Sequence, residues 1–115
     1  MARDSLAMRI FLYGTLMDPE VARRVAGEDR FVREARPALL PGWRKTLLRG
    51  TPFPTLVPEE RSVVHGLLAE VSPRTLAGLH VYEGSLYRFV TVPVLSEGRR
   101  VAARAWIAPP WRALR

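Results

Sequence analysis

The chain has 115 residues, 48% of them hydrophobic and 25% charged, a balance that suits one folded domain with a real core and not a disordered chain. It contains no cysteine, so disulfides, thiolate metal ligands and a cysteine nucleophile are excluded by inventory. The formal net charge of +7 comes almost wholly from arginines scattered between Arg3 and Arg115, with Lys45 the only lysine; scatter favours solubility over a docking face, although such a field would draw in anions.

The opening residues, MARDSLAMRIF, have no long apolar segment, and nowhere do 18 apolar residues run together. No membrane partner is expected, and the cytoplasm is the expected location. No aromatic-basic signature accompanies the positive charge, which argues against a nucleic-acid partner. His65 and His80 are too few, and too far from a matching carboxylate pattern, to suggest a metal site.

In chain order, residues 8 to 13, MRIFLY, read as a buried strand ended by Gly14. Asp18, Pro19 and Glu20 then supply an N-cap, an N1 proline and a first-turn acid, and Gly27 a stop, which predicts a helix over about residues 19–26. Between Ala35 and Val57 the chain carries Pro37, Pro41, Gly42, Gly50, Pro52 and Pro54. These breakers predict only short strands joined by turns, WRKTLLR being one and PTLV the edge of another. Residues 62–71, SVVHGLLAEV, predict a further strand, with Gly66 marking a bulge or a close approach of backbone.

Ser72 and Pro73 repeat the cap-plus-proline signal and predict a second helix through about Val81. LYRFVTVPVL and RVAARAWI are two β-rich runs joined by SEGR, a hairpin with Gly98 in its turn. The tail, APPWRALR, reads as extended and irregular. A tally of about six strands and two short helices indicates an α+β fold whose sheet curls toward a barrel, in one domain over 1–115.

Two places can carry chemistry. In YGTLM, Gly14 lets a ligand approach the backbone, the amides that follow have no strand partner, and Thr15 adds a hydroxyl. Asp18, as N-cap, would occupy helix amides and repel an anion, so a ligand belongs on residues 14–17. A strand, a glycine and a helix are also a common structural turn. The second place is LHVYEGSLYRFVTV, where Glu83 stands between a helix and a strand. There a carboxyl can lie on a pocket rim, partial burial raising its pKa toward the range useful for proton transfer, or it can be an exposed turn residue. Tyr87 aims its phenol into the same pocket or packs.

Taken together, FLYGTL, VVHGLL and LHVYEGSLYRFVTVPV resemble, in order and spacing over residues 10–107, the gamma-glutamyl cyclotransferase-like family, of the gamma-glutamylamine cyclotransferase type. The resemblance implies a small β-barrel with flanking helices. It implies that Tyr13, Gly14, Thr15 and Leu16 hold the glutamyl part of a small-molecule gamma-glutamyl substrate through main-chain groups. It makes Glu83 the acid that transfers protons and places Tyr87 in the pocket wall. The reaction so implied releases pyroglutamate by attack of the substrate's α-amine on its own γ-carbonyl, with no metal and no cofactor.

This sequence departs from the family pattern where Leu79-His80 replaces a Leu-Asp pair and Phe53-Pro54 replaces Tyr-Pro. The pocket walls are expected from the Trp43 to Pro54 region and the tail near Trp111. A monomer or a homodimer is compatible with the sequence. The competing reading is a non-enzymatic module that binds a small anionic metabolite, with nucleic-acid contact through the basic surface.

Overall fold

Strand β1, Met8–Leu12, is buried along most of its length on both faces, and this is why its sequence shows no alternation of apolar and polar residues. The structure, a computed structural model, describes residues 7–114; Arg3, Asp4, Arg115 and the two extreme ends of the expected 1–115 domain lie outside the described residues. Phe11, with Tyr13 just beyond the strand, enters one core cluster together with Leu40, Leu56, Val64, Val94 and Ala105. Ile10 and Leu12 turn the other way, into a second cluster with Leu16, Ala22, Phe31, Leu79 and Trp106.

The first cluster fills a closed barrel of five strands in the order β1-β3-β2-β4-β5, where β2 is Arg36–Leu47, β3 Pro54–Val71, β4 Arg88–Ser96 and β5 Arg99–Ile107. Neighbours are antiparallel, apart from one parallel contact at Ile10↔Arg104 that closes the ring between β1 and β5. The second cluster lies between the outside of the barrel and three short helices: α1, Pro19–Ala26, α2, Arg30–Arg33, and α3, Pro73–Glu83. The α+β barrel expected from the sequence is the architecture found.

Five strands replace the expected six, because the proline-rich region forms long strands instead of short ones. β2 pairs with β3 from Arg36↔Leu68 to Leu47↔Pro54, with a register shift between Pro41 and Trp43. Gly42, at φ 84°, sits at that shift and absorbs a bulge. Across its other edge β2 meets β4 at one pair only, Leu39↔Leu95. Pro37 and Pro41 flank that pair, where few ladder bonds exist for a missing N–H to break. At Gly66 the close approach is present and the bulge is not: a Cβ there would lie 2.3 Å from the Leu12 carbonyl oxygen.

Helix α1 keeps its expected limits, with the Asp18 side chain accepting from the Glu20 amide at 2.9 Å and Gly27 closing it at φ 79°. The single turn of α2 has no periodicity to read, yet Phe31 and Val32 are buried. Helix α3 begins at the Ser72 cap as expected but runs two residues past Val81, so Glu83 is its last residue rather than a loop residue. The β4–β5 turn has both Glu97 and Gly98 at positive φ, the tight hairpin geometry whose twist suits the strands. The tail is more ordered than expected: Pro110–Arg112 form a 3-10 turn and Ala113 bridges to Leu48. Among the described residues, no helix is long and apolar enough to cross a membrane.

Candidate active site

At one end of the barrel a cavity of about 180 Å³ opens between the end of β1, the β2–β3 tip and the end of α3. β1 contributes Phe11 and Leu12, followed by Tyr13 and the loop residues Gly14, Thr15 and Leu16. The tip contributes Leu48, Phe53 and Pro54, and the α3–β4 junction contributes Tyr82, Glu83, Leu86 and Tyr87. These segments are far apart in sequence, and cross-links tie them. The Tyr87 hydroxyl donates to the Pro54 carbonyl at 2.8 Å, Thr15 Oγ1 and the Tyr82 hydroxyl share a hydrogen bond at 2.9 Å, and Tyr13 donates to the Trp106 carbonyl.

The loop after β1 is a 3-10 turn, Thr15–Met17, whose first bonds run from the Met17 amide to the Gly14 carbonyl and from the Asp18 amide to the Thr15 carbonyl, both 3.0 Å. The amides of Thr15 and Leu16 precede the first internal hydrogen bond and so are left to other acceptors. Gly14 adopts φ −129°, not a left-handed conformation. Its glycine avoids a tight contact: a Cβ there would lie 3.0 Å from Pro54 Cγ, and the proline ring would have to give by a few tenths of an ångström. Backbone and proline ring meet where the β2–β3 tip folds back on the end of β1.

Glu83 is mostly buried, and burial alone pushes its carboxyl up from 4.5 to about 7. No described arginine or lysine forms an ion pair with it. A carboxyl in that range divides between its two protonation states near neutral pH, which is what a group that both takes and returns a proton requires. Burial, reinforced by the Glu83 charge, pushes the Tyr87 phenol up to about 12. Burial holds Tyr13 well above the ordinary phenol range. Both tyrosines therefore stay neutral and act as hydrogen-bonding groups, not as acids.

All six residues singled out from the sequence, Tyr13, Gly14, Thr15, Leu16, Glu83 and Tyr87, line this one cavity. Phe53 and Pro54 line it too, whereas Trp43 and Trp111, expected near it, do not. Trp43 instead packs against the barrel core, and Trp111 is 65% exposed. Leu48 falls within the expected Trp43 to Pro54 wall, whereas Leu86 escaped sequence reasoning because a single leucine in a loop carries no signal of which cavity it will face. His80 belongs to the structure: its Nδ1 accepts from Trp106 Nε1 at 3.2 Å and its ring packs edge-on against Phe89. Among the described residues no three of His, Asp and Glu gather as a metal site would need.

Fold and site define a small closed α+β barrel with a carboxyl-bearing pocket at one end, built from a strand-end loop and a helix terminus. Residues 10–114 match the model of the family described as gamma-glutamyl cyclotransferase, AIG2-like, and the chain belongs to that family. It is 36% identical over 110 residues to AIG2-like protein A of Arabidopsis thaliana, an alignment that covers 90% of this chain and 65% of that protein. The chain thus spans a little under two thirds of the length of the curated relatives it matches. A solution structure of another Arabidopsis thaliana protein superposes with a TM-score of 0.73 at 30% identity, covering 97% of this chain and 78% of that one. A gamma-glutamyl cyclotransferase of known structure shares the fold, with a TM-score of 0.74 at 16% identity over 90% of this chain and 67% of that one.

Proposed function

We propose that the protein is a cyclotransferase that releases pyroglutamate from a gamma-glutamyl amine or peptide, with Glu83 as general acid and base. The observation that carries this reading is the placing of a mostly buried carboxyl and the Tyr13–Leu16 loop in one cavity, as expected of a family whose name is that reaction.

The substrate's α-carboxylate lies against the free amides of Thr15 and Leu16, which orient it without a charged side chain. Ionised Glu83 takes a proton from the α-ammonium, and the freed amine attacks the γ-carbonyl carbon. A new C–N bond closes the five-membered ring, and the carbonyl oxygen carries the developing negative charge, stabilised by hydrogen-bond donors in the pocket. Glu83, now protonated, returns the proton to the departing nitrogen as the original amide C–N bond breaks. The ring nitrogen then gives up its second proton, by way of the regenerated carboxylate, to the freed amine, so that pyroglutamate leaves as the neutral lactam, the amine leaves as its ammonium ion and Glu83 is again ionised.

The test is pyroglutamate release from a panel of gamma-glutamyl amines, gamma-glutamyl dipeptides and glutathione, with wild type beside Glu83→Gln. Release that the variant loses supports the reading. No release from any member by folded protein overturns it in favour of a binding module.

A further inference from the structure

The chain carries 18 lysine and arginine side chains, yet among the described residues none lines the cavity, and Glu83 is the one charged side chain in its wall. Beyond β1, the loop and Glu83, the wall is Leu48, Phe53, Pro54 and Leu86 together with Tyr82 and Tyr87, whose hydroxyls are engaged by Thr15 and by the Pro54 carbonyl. Two wholly apolar side chains among these meet water: Phe53 is 52% exposed and Leu86 41%. They come from different segments of the cavity wall, one from the β2–β3 tip and the other from just beyond α3.

We propose that Phe53 and Leu86, backed by Leu48, form the leaving-group subsite and that it takes an uncharged, apolar amine. This rests on the cyclotransferase reading. An alkyl or aryl amine covers apolar surface that is otherwise wet. A leaving group with its own carboxylate meets no cation in the wall and loses hydration without compensation. One with a second ammonium group meets only Glu83. A cation held beside that carboxyl keeps it ionised and so hinders the proton return on which departure of the amine depends.

The experiment compares a matched pair, gamma-glutamyl pentylamide and gamma-glutamyl 5-aminopentylamide, which differ chiefly in a terminal ammonium, with the small gamma-glutamyl methylamide as reference. The expected result is a kcat/KM for the pentylamide at least about tenfold above that for the aminopentylamide, in the range that hydrophobic pockets achieve. Phe53→Ser and Leu86→Ser are each expected to bring that ratio down toward one, and the exposure of both side chains lets either variant fold. A charged amide turned over as well as its apolar match, while the methylamide is also cleaved, overturns the subsite and leaves the reaction standing. Absence of pyroglutamate from all three overturns the reaction and the subsite together.

Discussion

The Tyr87 hydroxyl donates to the Pro54 carbonyl at 2.8 Å, and this one bond ties the start of β4 to the start of β3 across the candidate active site. Tyr87→Phe keeps the ring and removes the donor, leaving a half-buried carbonyl short of a partner. The expected loss is ~1 kcal/mol, roughly 4 °C in Tm for a chain of this size. Thermal unfolding measures it. An unchanged Tm would mean that water replaces the phenol at no cost and that the bond does not hold the pocket together.

Glu83 must be ionised to accept the first proton, so kcat/KM should rise with pH through about 7, the value to which burial pushes it. Glu83→Gln removes proton transfer altogether and should lower kcat by roughly 10²-fold or more. A pH–rate profile of the wild type, flat from pH 5 to 8, would exclude Glu83 as the group that limits the rate.

The same burial makes a prediction about stability with a definite sign. The folded protein holds the Glu83 proton up to about 7, whereas the unfolded chain gives it up near 4.5. Between those values the native state binds more protons, so this group lowers stability as pH rises through the window. The full effect, ~3 kcal/mol, is present above the folded value and absent below 4.5. Glu83→Gln should therefore stabilise the protein at pH 8 and leave it unchanged at pH 4. Denaturant unfolding at the two pH values checks this, and a gain that is equal at both would refute the assignment.

Glycines of different standing should respond differently to alanine. At Gly66 the added Cβ would meet the Leu12 carbonyl at 2.3 Å and the Phe11 ring at 2.8 Å, inside the barrel wall. Backbone cannot yield there, and Gly66→Ala should cost more than about 3 kcal/mol. At Gly27 the space is open and only the left-handed φ of 79° is strained, so Gly27→Ala should cost about 1 kcal/mol. Paired urea titrations give both numbers, and equal losses would show that the β1–β3 approach relaxes.

Local chemistry made much of this protein legible in its sequence. Asp18-Pro19 and Gly27 delimit α1 because a cap, a fixed φ and a left-handed stop act within one turn of chain. Glu97-Gly98 marks the hairpin for the same reason. The candidate site residues were found through family resemblance added to these local signals, since neither YGTL nor YEG is distinctive alone. What local signals misjudged was the region from Arg36 to Arg61, where long strands stand in place of short ones. Its prolines read as breaks, and only the barrel decides that β2 has an edge where Pro37 and Pro41 do little harm.

The sequence by itself determined the elements whose ends are set by neighbouring residues, the α+β class and the absence of thiol chemistry. Tertiary structure alone decided that the β2–β3 tip returns to Gly14, that α3 ends on Glu83, and that this carboxyl shares one cavity with Phe53, Leu86 and three tyrosines. The physical reason is range. Caps and turns are settled by bonds spanning a few residues, whereas a pocket and a shifted pKa depend on which distant segments exclude water from one another, and closure of the barrel fixes that.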